Sequence, residues 1–209
     1  LLASTYLGGT SNDGLNISNL NYNYGDVFRG DITIDQDGNI VIASSTLSSD
    51  FPIVNGSNTI LGGNQDAVVA KLNPNLTSLI WSTYLGGSGD DAGFSIQVNS
   101  SNNLLVTGGT KSTNLPFSGG YLPTYQGGTS DGYVAELDGN TNSIIRGTYI
   151  GTSSYDQSFF VQLDNADRVY VFGQSLGNIP VSSGVYSKPN SGQFIQQYAA
   201  DLTTLNWST

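Results

Sequence analysis

The chemistry that this sequence offers comes from a small set of carboxylates, and the most suggestive of them lie in one short segment. The string Asp35-Gln36-Asp37-Gly38-Asn39 has the Asp-x-Asp-Gly order of a calcium loop. Calcium binds several oxygen ligands, and two carboxylates with an amide or a backbone carbonyl would supply some of them. No glutamate follows at the EF-hand distance, and a tight turn explains the same residues. We predict a hairpin turn and no cofactor, with calcium at Asp35 and Asp37 as the alternative.

Four further aspartates lie at matching positions, each just before a strand-like run: Asp13, Asp90, Asp91 and Asp156. A capped, solvated turn explains them better than a metal site, because aspartate commonly hydrogen-bonds nearby backbone N–H groups. Catalysis has few candidates, since the chain has no histidine and no cysteine, and Glu136 is its only glutamate. A glycosidase would need two opposed carboxylates, whereas neighbours such as Asp90 and Asp91 usually point apart. The sequence predicts no catalytic site.

These residues belong to a chain that repeats itself three times. One set of copies is Tyr6-Leu7-Gly8-Gly9, Tyr84-Leu85-Gly86-Gly87 and Tyr149-Ile150-Gly151-Thr152. A second set is Phe51-Pro52, Leu115-Pro116 and Ile179-Pro180, and its members are spaced 64 residues apart. A fixed period of this size indicates one structural unit used repeatedly.

Each repeat contains four short runs that are rich in β-branched and aromatic residues and separated by Gly, Asn, Asp, Ser or Pro. Phe94, Ile96 and Val98 alternate with polar residues, which is the period-two pattern of a strand. Gly and Asn between the first two runs predict tight hairpins. We expect inner strands near residues 29–35, 94–99 and 158–164, and an outer strand at residues 1–7.

The predicted fold is all-β, a β-propeller built from four-stranded antiparallel blades, because such sheets bury both faces when they stack radially. A linear β-solenoid is the rival, but its coils are usually shorter and its strands run parallel. The chain would comprise the outer strand and turn of a preceding blade (1–14), a blade with an N-terminal insertion (15–84), and two further blades (85–150 and 151–209). Three blades do not close a ring, and the sequence contains no methionine. We therefore interpret it as part of a longer protein.

The strings with a family resemblance lie mainly between residues 66 and 137. Residues 82–98 read Ser-Thr-Tyr-Leu-Gly-Gly-Ser-Gly-Asp-Asp-Ala-Gly-Phe-Ser-Ile-Gln-Val, residues 102–108 read Asn-Asn-Leu-Leu-Val-Thr-Gly, and residues 66–72 read Asp-Ala-Val-Val-Ala-Lys-Leu. This pattern closely resembles the bacterial SBBP repeat. The resemblance implies a seven-bladed ring, of which this chain would form about three blades, and export from a Gram-negative cell, in some members by type IX secretion. The third copy departs from the pattern at Thr152 and at Gln193-Phe194.

Charge and composition exclude several partners. Six basic residues stand against sixteen acidic ones, giving a net charge of −10, and the basic residues are scattered. Nucleic-acid binding depends on clustered Lys and Arg, so no such partner is expected. No apolar run approaches the roughly 20 residues of a membrane helix. We predict an extracellular or cell-surface location and no transmembrane segment.

Four residues of the repeat are predicted to be structural. Tyr84 and Trp81 would pack between sheets, because aromatic rings fill such spaces. Gly86 and Gly87 end an outer strand where the chain must turn, and we expect Gly86 to have a positive φ.

The insertion over residues 15–30 contains the candidate binding residues Tyr22, Tyr24 and Phe28. The repeat does not require them for packing, and aromatic residues with Asn and Asp in a loop are typical of contact surfaces. We expect that removing residues 16–26 would leave folding nearly intact.

The predicted function is an exported, non-catalytic module for surface display and adhesin-like binding. Its partner would be a protein or glycan at the cell surface, with the export machinery as a further contact. The alternative is a polysaccharide-active propeller enzyme whose catalytic residues lie partly outside this segment.

Overall fold

The computed structural model describes residues 2–16, 20–188 and 191–209, and only the backbone of Tyr24. Within these residues the chain is all-β, with one 3-10 helix at Tyr24–Phe28 and no α-helix, and it contains no helix that is long and apolar enough to cross a membrane. The strands are β1 (Asp31–Ile34), β2 (Ile40–Thr46), β3 (Asp66–Leu72), β4 (Leu79–Leu85), β5 (Asp91–Val98), β6 (Leu104–Thr110), β7 (Asp131–Leu137), β8 (Ile144–Ile150), β9 (Asp156–Leu163), β10 (Val169–Ser175), β11 (Gln193–Tyr198) and β12 (Leu205–Ser208).

The strands form three antiparallel four-stranded sheets, each made from four consecutive strands in chain order. β1–β4 form the first sheet, β5–β8 the second and β9–β12 the third. The hairpin between the first two strands of each sheet contains a residue of positive φ: Gly38 (83°), Asn102 (63°) and Asp167 (56°). Gly, Asn and Asp reach this conformation most readily, so the predicted hairpins are confirmed.

The sheets stack face to face, and the first strand of each later sheet packs on the preceding sheet. The contact between the first and second sheets, here called the first seam, buries Val41, Ala43, Val69, Ile96, Leu104 and Val106. The contact between the second and third sheets, the second seam, buries Leu105, Val134, Val161, Val169 and Val171. Successive residues of a strand point to opposite faces, so Leu104 serves one seam and Leu105 the other.

Two faces of this stack have no neighbouring sheet among the described residues. The front face is the outer face of the first sheet and carries the exposed side chains of Ile32 and Ile34. The back face is the outer face of the third sheet and carries Phe160, Phe172 and Ile195. The three sheets therefore do not close into a ring.

The outer strand expected at residues 1–7 is not observed in its described part, residues 2–7. Tyr6 is fully exposed, whereas its repeat counterparts Tyr84 and Tyr149 are buried. A strand needs a neighbouring strand to pair its backbone groups, and the described residues provide none for this segment. The following turn nevertheless has the geometry of the repeat, because the Gly9 N–H donates to Asp13 Oδ2 at 2.8 Å.

Candidate functional site

The insertion lies against the first strands of the second and third sheets. Leu20 is fully buried in a cluster that includes Phe94 of β5 and Phe159 of β9. The backbone carbonyl of Leu20 also accepts a hydrogen bond from Gln157 Nε2 at 2.6 Å. These contacts fix the middle of the insertion between two sheets.

A buried carboxylate holds the shape of the insertion. Asp26 is fully buried and accepts hydrogen bonds from the backbone N–H groups of Tyr22 at 3.2 Å and Asn23 at 2.7 Å. Arg29 Nε donates to the other oxygen of Asp26 at 2.9 Å, and its guanidinium carbon lies 4.3 Å from the centre of the Phe159 ring. Charge-assisted hydrogen bonds are among the stronger ones, so three donors on one carboxylate hold the 3-10 turn firmly.

Two of the three predicted binding residues lie at the surface of this turn. Phe28 is 73% exposed and Tyr22 is 53% exposed. The Tyr22 ring packs on Tyr155, with ring centres 4.4 Å apart and planes tilted by 32°. The side chain of Tyr24 lies outside the described residues. Tyr22 and Phe28 together are called the aromatic surface.

Burial within the insertion argues against the expectation that removing residues 16–26 would leave folding nearly intact. Leu20 and Asp26 are buried, and buried Asn16 accepts a hydrogen bond at 2.9 Å from Nε2 of Gln65, the residue just before β3 of the first sheet. The insertion therefore contacts all three sheets. The repeat offers no second copy of this segment for comparison, and its packing partners are distant in sequence.

The calcium candidates Asp35 and Asp37 lie in the hairpin between β1 and β2. Asp35 Oδ1 accepts hydrogen bonds from the backbone N–H groups of Asp37 at 3.0 Å and Asn39 at 2.8 Å, and Lys71 Nζ lies 2.7 Å from Asp35 Oδ2. Burial raises the pKa of Asp35, but hydrogen bonds from Lys71 and Asn39 outweigh burial and hold that pKa below its usual value. The described residues contain no group of three or more acidic side chains that could hold a metal ion. The hairpin interpretation accounts for both aspartates.

Asp91 caps the turn before β5, as the sequence predicts. Its Oδ2 accepts hydrogen bonds from the Gly87 N–H at 2.8 Å and from Ser112 Oγ at 2.7 Å, and Thr110 Oγ1 donates to the other oxygen. These bonds tie the end of an outer strand to the second strand of the next sheet. The corresponding turn aspartates in the other repeats are Asp13 and Asp156.

Four fully buried carboxyl groups with raised pKa values lie near the seams. Burial is the main cause, and it raises the pKa of Asp66 to about 6, that of Asp91 to about 7 and that of Asp131 to about 8. The pKa of Asp156 is also raised by burial. The negative charge of Asp66 adds to the shift of Asp91 across the first seam, and that of Asp156 adds to the shift of Asp131 across the second. Near neutral pH a part of the Asp91 and Asp131 carboxyl groups is therefore protonated.

Tyr84 and Trp81 have the structural contacts predicted for them. Tyr84 is buried, and its hydroxyl donates to the Ser48 carbonyl at 2.7 Å. Trp81 is buried in the core of the first seam, and its Nε1 donates at 3.2 Å to the carbonyl of Gly139 in the turn between β7 and β8. Each aromatic residue therefore joins segments that are distant in sequence.

Gly86 is structurally constrained, but for a different reason from the predicted one. It does not have a positive φ. A Cβ atom at Gly86 would lie 2.5 Å from Asp66 Cγ, which is closer than two carbon atoms can approach without a shift. Gly87 contributes the N–H group that Asp91 accepts. Space beside a buried carboxyl group, and not backbone conformation, requires the glycine at position 86.

Sequence reasoning missed several residues of these sites. Tyr155 supports Tyr22, and Gln157 holds the insertion, yet no spacing pattern connects either residue to residues 15–30. Asp66 and Asp131 were detectable as a repeat column, because both begin the third strand of their sheets. The sequence at these two positions did not indicate that both carboxyl groups would be buried with raised pKa values.

Comparison with protein-family models gives no match for this chain, and comparison with the curated proteins gives none either. The resemblance to the SBBP repeat therefore remains a hypothesis based on the quoted residues. The case for a function depends on the geometry of the insertion and the seams.

Proposed function

We propose that this chain is part of an exported β-propeller of the SBBP type that acts as a non-catalytic display and binding scaffold at a bacterial cell surface. The observation that supports this most strongly is the aromatic surface, because Tyr22 and Phe28 are exposed while Leu20 and Asp26 of the same segment are fully buried. The partner would be a glycan or a protein at the cell surface.

The aromatic surface is preorganised. Phe28 ends the 3-10 turn, and the buried Asp26 binds the Tyr22 and Asn23 backbone N–H groups before that turn and the Arg29 side chain after it. An exposed aromatic ring on a fixed backbone provides contact area with little further loss of conformational entropy. Asn23 and Gln174, joined by a hydrogen bond of 2.8 Å, place amide groups beside the rings. Aromatic faces next to amides suit the apolar and hydroxyl faces of sugars and also protein surfaces.

The stacked sheets support the propeller part of the proposal. Four-stranded antiparallel sheets that pack face to face in sequence order are the blade arrangement of propellers. The hydrophobic front and back faces suit further sheets of the same kind, and the SBBP resemblance suggests seven in the ring. A scaffold of this kind presents its loops on a rigid frame.

The alternative, a polysaccharide-active enzyme, would need two opposed carboxyl groups that a substrate can reach. Asp91 is fully buried in its capped turn, and Asp90 lies 3.4 Å from Lys111 Nζ. Asp66, Asp131 and Asp156 are also fully buried. These five carboxyl groups therefore do not supply an accessible opposed pair.

The net charge of −10 supports export and surface exposure, because a strongly charged surface resists unspecific association. The export machinery would be a transient partner under this proposal.

The test compares Phe28→Ala and Tyr22→Ala with the control Tyr6→Ala, which removes an exposed ring outside the insertion. Binding to immobilised glycans and to cell-surface proteins is measured alongside thermal stability. We expect both insertion variants to lose binding by roughly 10-fold or more, as for truncated aromatic hot spots, while the control retains it. Equal binding by all three variants would place the site elsewhere.

A further inference from the structure

A pocket of about 230 Å³ lies at the outer edge of the first seam, between the loop that follows β2 and the turn that joins β7 to β8. We call it the seam pocket. Its lining includes Tyr84 and Leu85 of β4, Leu137 of β7 and Ile144 of β8. All four strands of both flanking sheets are present. Sheets that stack on the front or back face would therefore not lie between the walls of this pocket.

The loop after β2 and the loop after β6 follow the same path along their sheets. Asn58 and Leu122 each donate the backbone N–H to a threonine Oγ1 of the neighbouring outer strand at 2.9 Å. The carbonyls of both residues accept hydrogen bonds from the backbone N–H groups of the tyrosines in β4 and β8. The residues that precede them, Ser57 and Tyr121, are therefore equivalent.

At the second seam the equivalent place holds the ring of Tyr121. That ring lies edge to face on Tyr198, with ring centres 6.2 Å apart. Tyr198 is the counterpart of Leu137, because each pairs with the first residue of the second strand in its sheet. At the first seam Ser57 has no ring to lay against Leu137, and the seam pocket is open. The repeat thus shows that a phenol ring suits this place.

The rim of the seam pocket is held by hydrogen bonds that cross the seam. Asn142 is buried in the turn between β7 and β8, and its Oδ1 accepts from the Ser57 N–H at 2.5 Å. Asn142 Nδ2 donates to the Asn55 carbonyl at 2.9 Å, and Ser57 Oγ donates to the Asn142 carbonyl at 2.8 Å. A pocket with fixed walls loses little conformational entropy when a ligand enters.

The size and polarity of the seam pocket favour one aromatic ring. Its volume is below the roughly 300–1,000 Å³ of pockets for drug-sized ligands, and an apolar cavity of about 150 Å³ is enough for benzene. The side chains of Ser57, Thr83 and Asn142 are engaged with one another or with the backbone. Asn58 Nδ2 has no hydrogen-bond partner among the residues that the structure describes, and it adds one donor. A sugar would bring several hydroxyls that these groups leave unpaired, whereas a phenol brings one.

We propose that the seam pocket binds the phenol ring of a tyrosine side chain that a partner protein presents. The ring lies on Leu137 in the bound state, as the ring of Tyr121 lies on Tyr198 at the second seam. Asn58 Nδ2 is the donor available to the phenol oxygen. A side chain is favoured as the source because the ring that fills the equivalent place is itself a tyrosine side chain on a surface loop.

The seam pocket shares no residue with the aromatic surface, and the two sites can be tested separately. Failure of the pocket to bind a ring would leave the binding role proposed for Tyr22 and Phe28 untouched. Loss of binding at the aromatic surface would likewise leave the seam pocket intact.

The first experiment titrates the full chain with p-cresol, which is the tyrosine side chain as a free molecule, and follows the methyl resonances of the pocket by NMR. We expect saturable shifts at Leu85, Leu137 and Ile144, which line the pocket. Ser57→Tyr should abolish these shifts, because the new ring would occupy the pocket. The reverse substitution at the second seam, Tyr121→Ser, is the matched control and should leave the shifts at the first seam unchanged.

Thermal melts of each variant show whether its fold is intact. If Ser57→Tyr unfolds the chain, Pro116→Ala provides a second variant, because Pro116 is exposed at the rim and its truncation removes one wall. Pro116→Ala should weaken p-cresol binding severalfold and keep the melting temperature of the parent chain. Unchanged affinity in a folded Pro116→Ala variant, with the shifts also retained in Ser57→Tyr, would overturn the proposal.

The second experiment identifies the source of the ring. The peptide acetyl-Gly-Tyr-Gly-amide should shift the same methyl resonances and compete with p-cresol, whereas a matched peptide with leucine in place of tyrosine should not. Binding of p-cresol without the tyrosine peptide would overturn the assignment to a protein side chain and assign the pocket to a free aromatic compound. Equal shifts with methyl glucoside would make the pocket a sugar site, and no saturable shift with any of these probes would exclude a ring site altogether. Either result would overturn the proposal.

Discussion

The first seam and the front face contain the same repeat column in two different environments. Ile96 of β5 is fully buried at the seam, and Ile32 of β1 is largely exposed on the front face, although both occupy equivalent positions in their strands. Each strand forms in both settings, because its neighbour in the same sheet provides the backbone hydrogen bonds. The repeat therefore determines which residues can pack, and the presence of a second sheet determines whether they do.

The N-terminal segment extends this comparison to backbone structure. Residues 2–7 have nearly the sequence of β4 but no neighbouring strand, and they form no strand. Leu7 and Asp13 still take their repeat positions, because Leu7 packs on Val68 and Tyr84 and Asp13 accepts a hydrogen bond from Thr46 Oγ1, all in the first sheet. The N-terminal segment thus keeps the contacts of the repeat where the first sheet provides neighbouring residues, and it forms no strand where no neighbouring strand is present.

The largest difference in stability is expected between alanine substitutions at two equivalent positions, Ile96 at the first seam and Ile32 on the front face. Ile96→Ala should destabilise the chain by about 2–5 kcal/mol, because it removes buried methyl groups and leaves a cavity. Ile32→Ala should change stability by no more than about 0.5 kcal/mol, because its side chain is largely exposed. Denaturant unfolding of both variants measures the difference. Similar costs for the two would show that the front face is covered in the monomer.

A second prediction separates the anchor of the insertion from its surface. Leu20→Ala should cost about 2–4 kcal/mol, because Leu20 is buried between the second and third sheets. Phe28→Ala should leave the unfolding midpoint nearly unchanged, since its ring is exposed. Thermal melts followed by circular dichroism test the pair. An unchanged unfolding midpoint for Leu20→Ala would mean that the insertion contributes little to the stability of the fold.

A third prediction concerns close approach at the first seam. Gly86→Val should destabilise the chain by about 1–3 kcal/mol, because its side chain would collide with the buried carboxyl group of Asp66. The control is Gly192→Ala just before β11, where the nearest atom to a new Cβ is the Ser175 carbonyl oxygen at 3.6 Å. Chemical denaturation should show a loss for the first variant only. Equal midpoints would mean that Asp66 moves aside at no cost.

The last prediction concerns the pH dependence of stability. The pKa of Asp131 rises from 3.8 to about 8 on folding, so the folded state holds more protons than the unfolded state between those values. Stability should therefore fall as pH rises through that window, and Asp131→Asn should make the fall shallower. Asp201→Asn is the control, because the pKa of Asp201 is lowered and its titration lies below the window. Unfolding free energies at several pH values test the slope, and identical slopes for Asp131→Asn and the parent chain would contradict this assignment.

Much of the fold was predictable because its determinants are local. Alternation such as Phe94, Ile96 and Val98 predicted a strand, and β5 spans Asp91–Val98. Gly38 and Asn102 marked hairpin turns, and both have positive φ. Asp35 and Asp91 were interpreted as turn residues, and each accepts hydrogen bonds from backbone groups within four residues. Strand alternation and turn geometry involve residues that are close in sequence, so a single chain reveals them.

The candidate site was only partly predictable. The exposure of Tyr22 and Phe28 follows from their place outside the repeat, but the burial of Leu20 and Asp26 beside them does not. The contact of Leu20 with Phe159 joins residues far apart in the chain, and only the assembled sheets bring them together. Burial of the insertion is a property of the stack.

The sequence by itself determined the strands, the hairpins and the repeat columns, because backbone preferences and side-chain alternation act over a few residues. Only the tertiary structure decided that Asp66 and Asp131 would be buried with raised pKa values, because desolvation depends on the sheet that covers them. The tertiary structure also decided that Ile96 is core and Ile32 is surface. Equivalent residues differ there because burial belongs to the contact between two sheets and not to either strand alone.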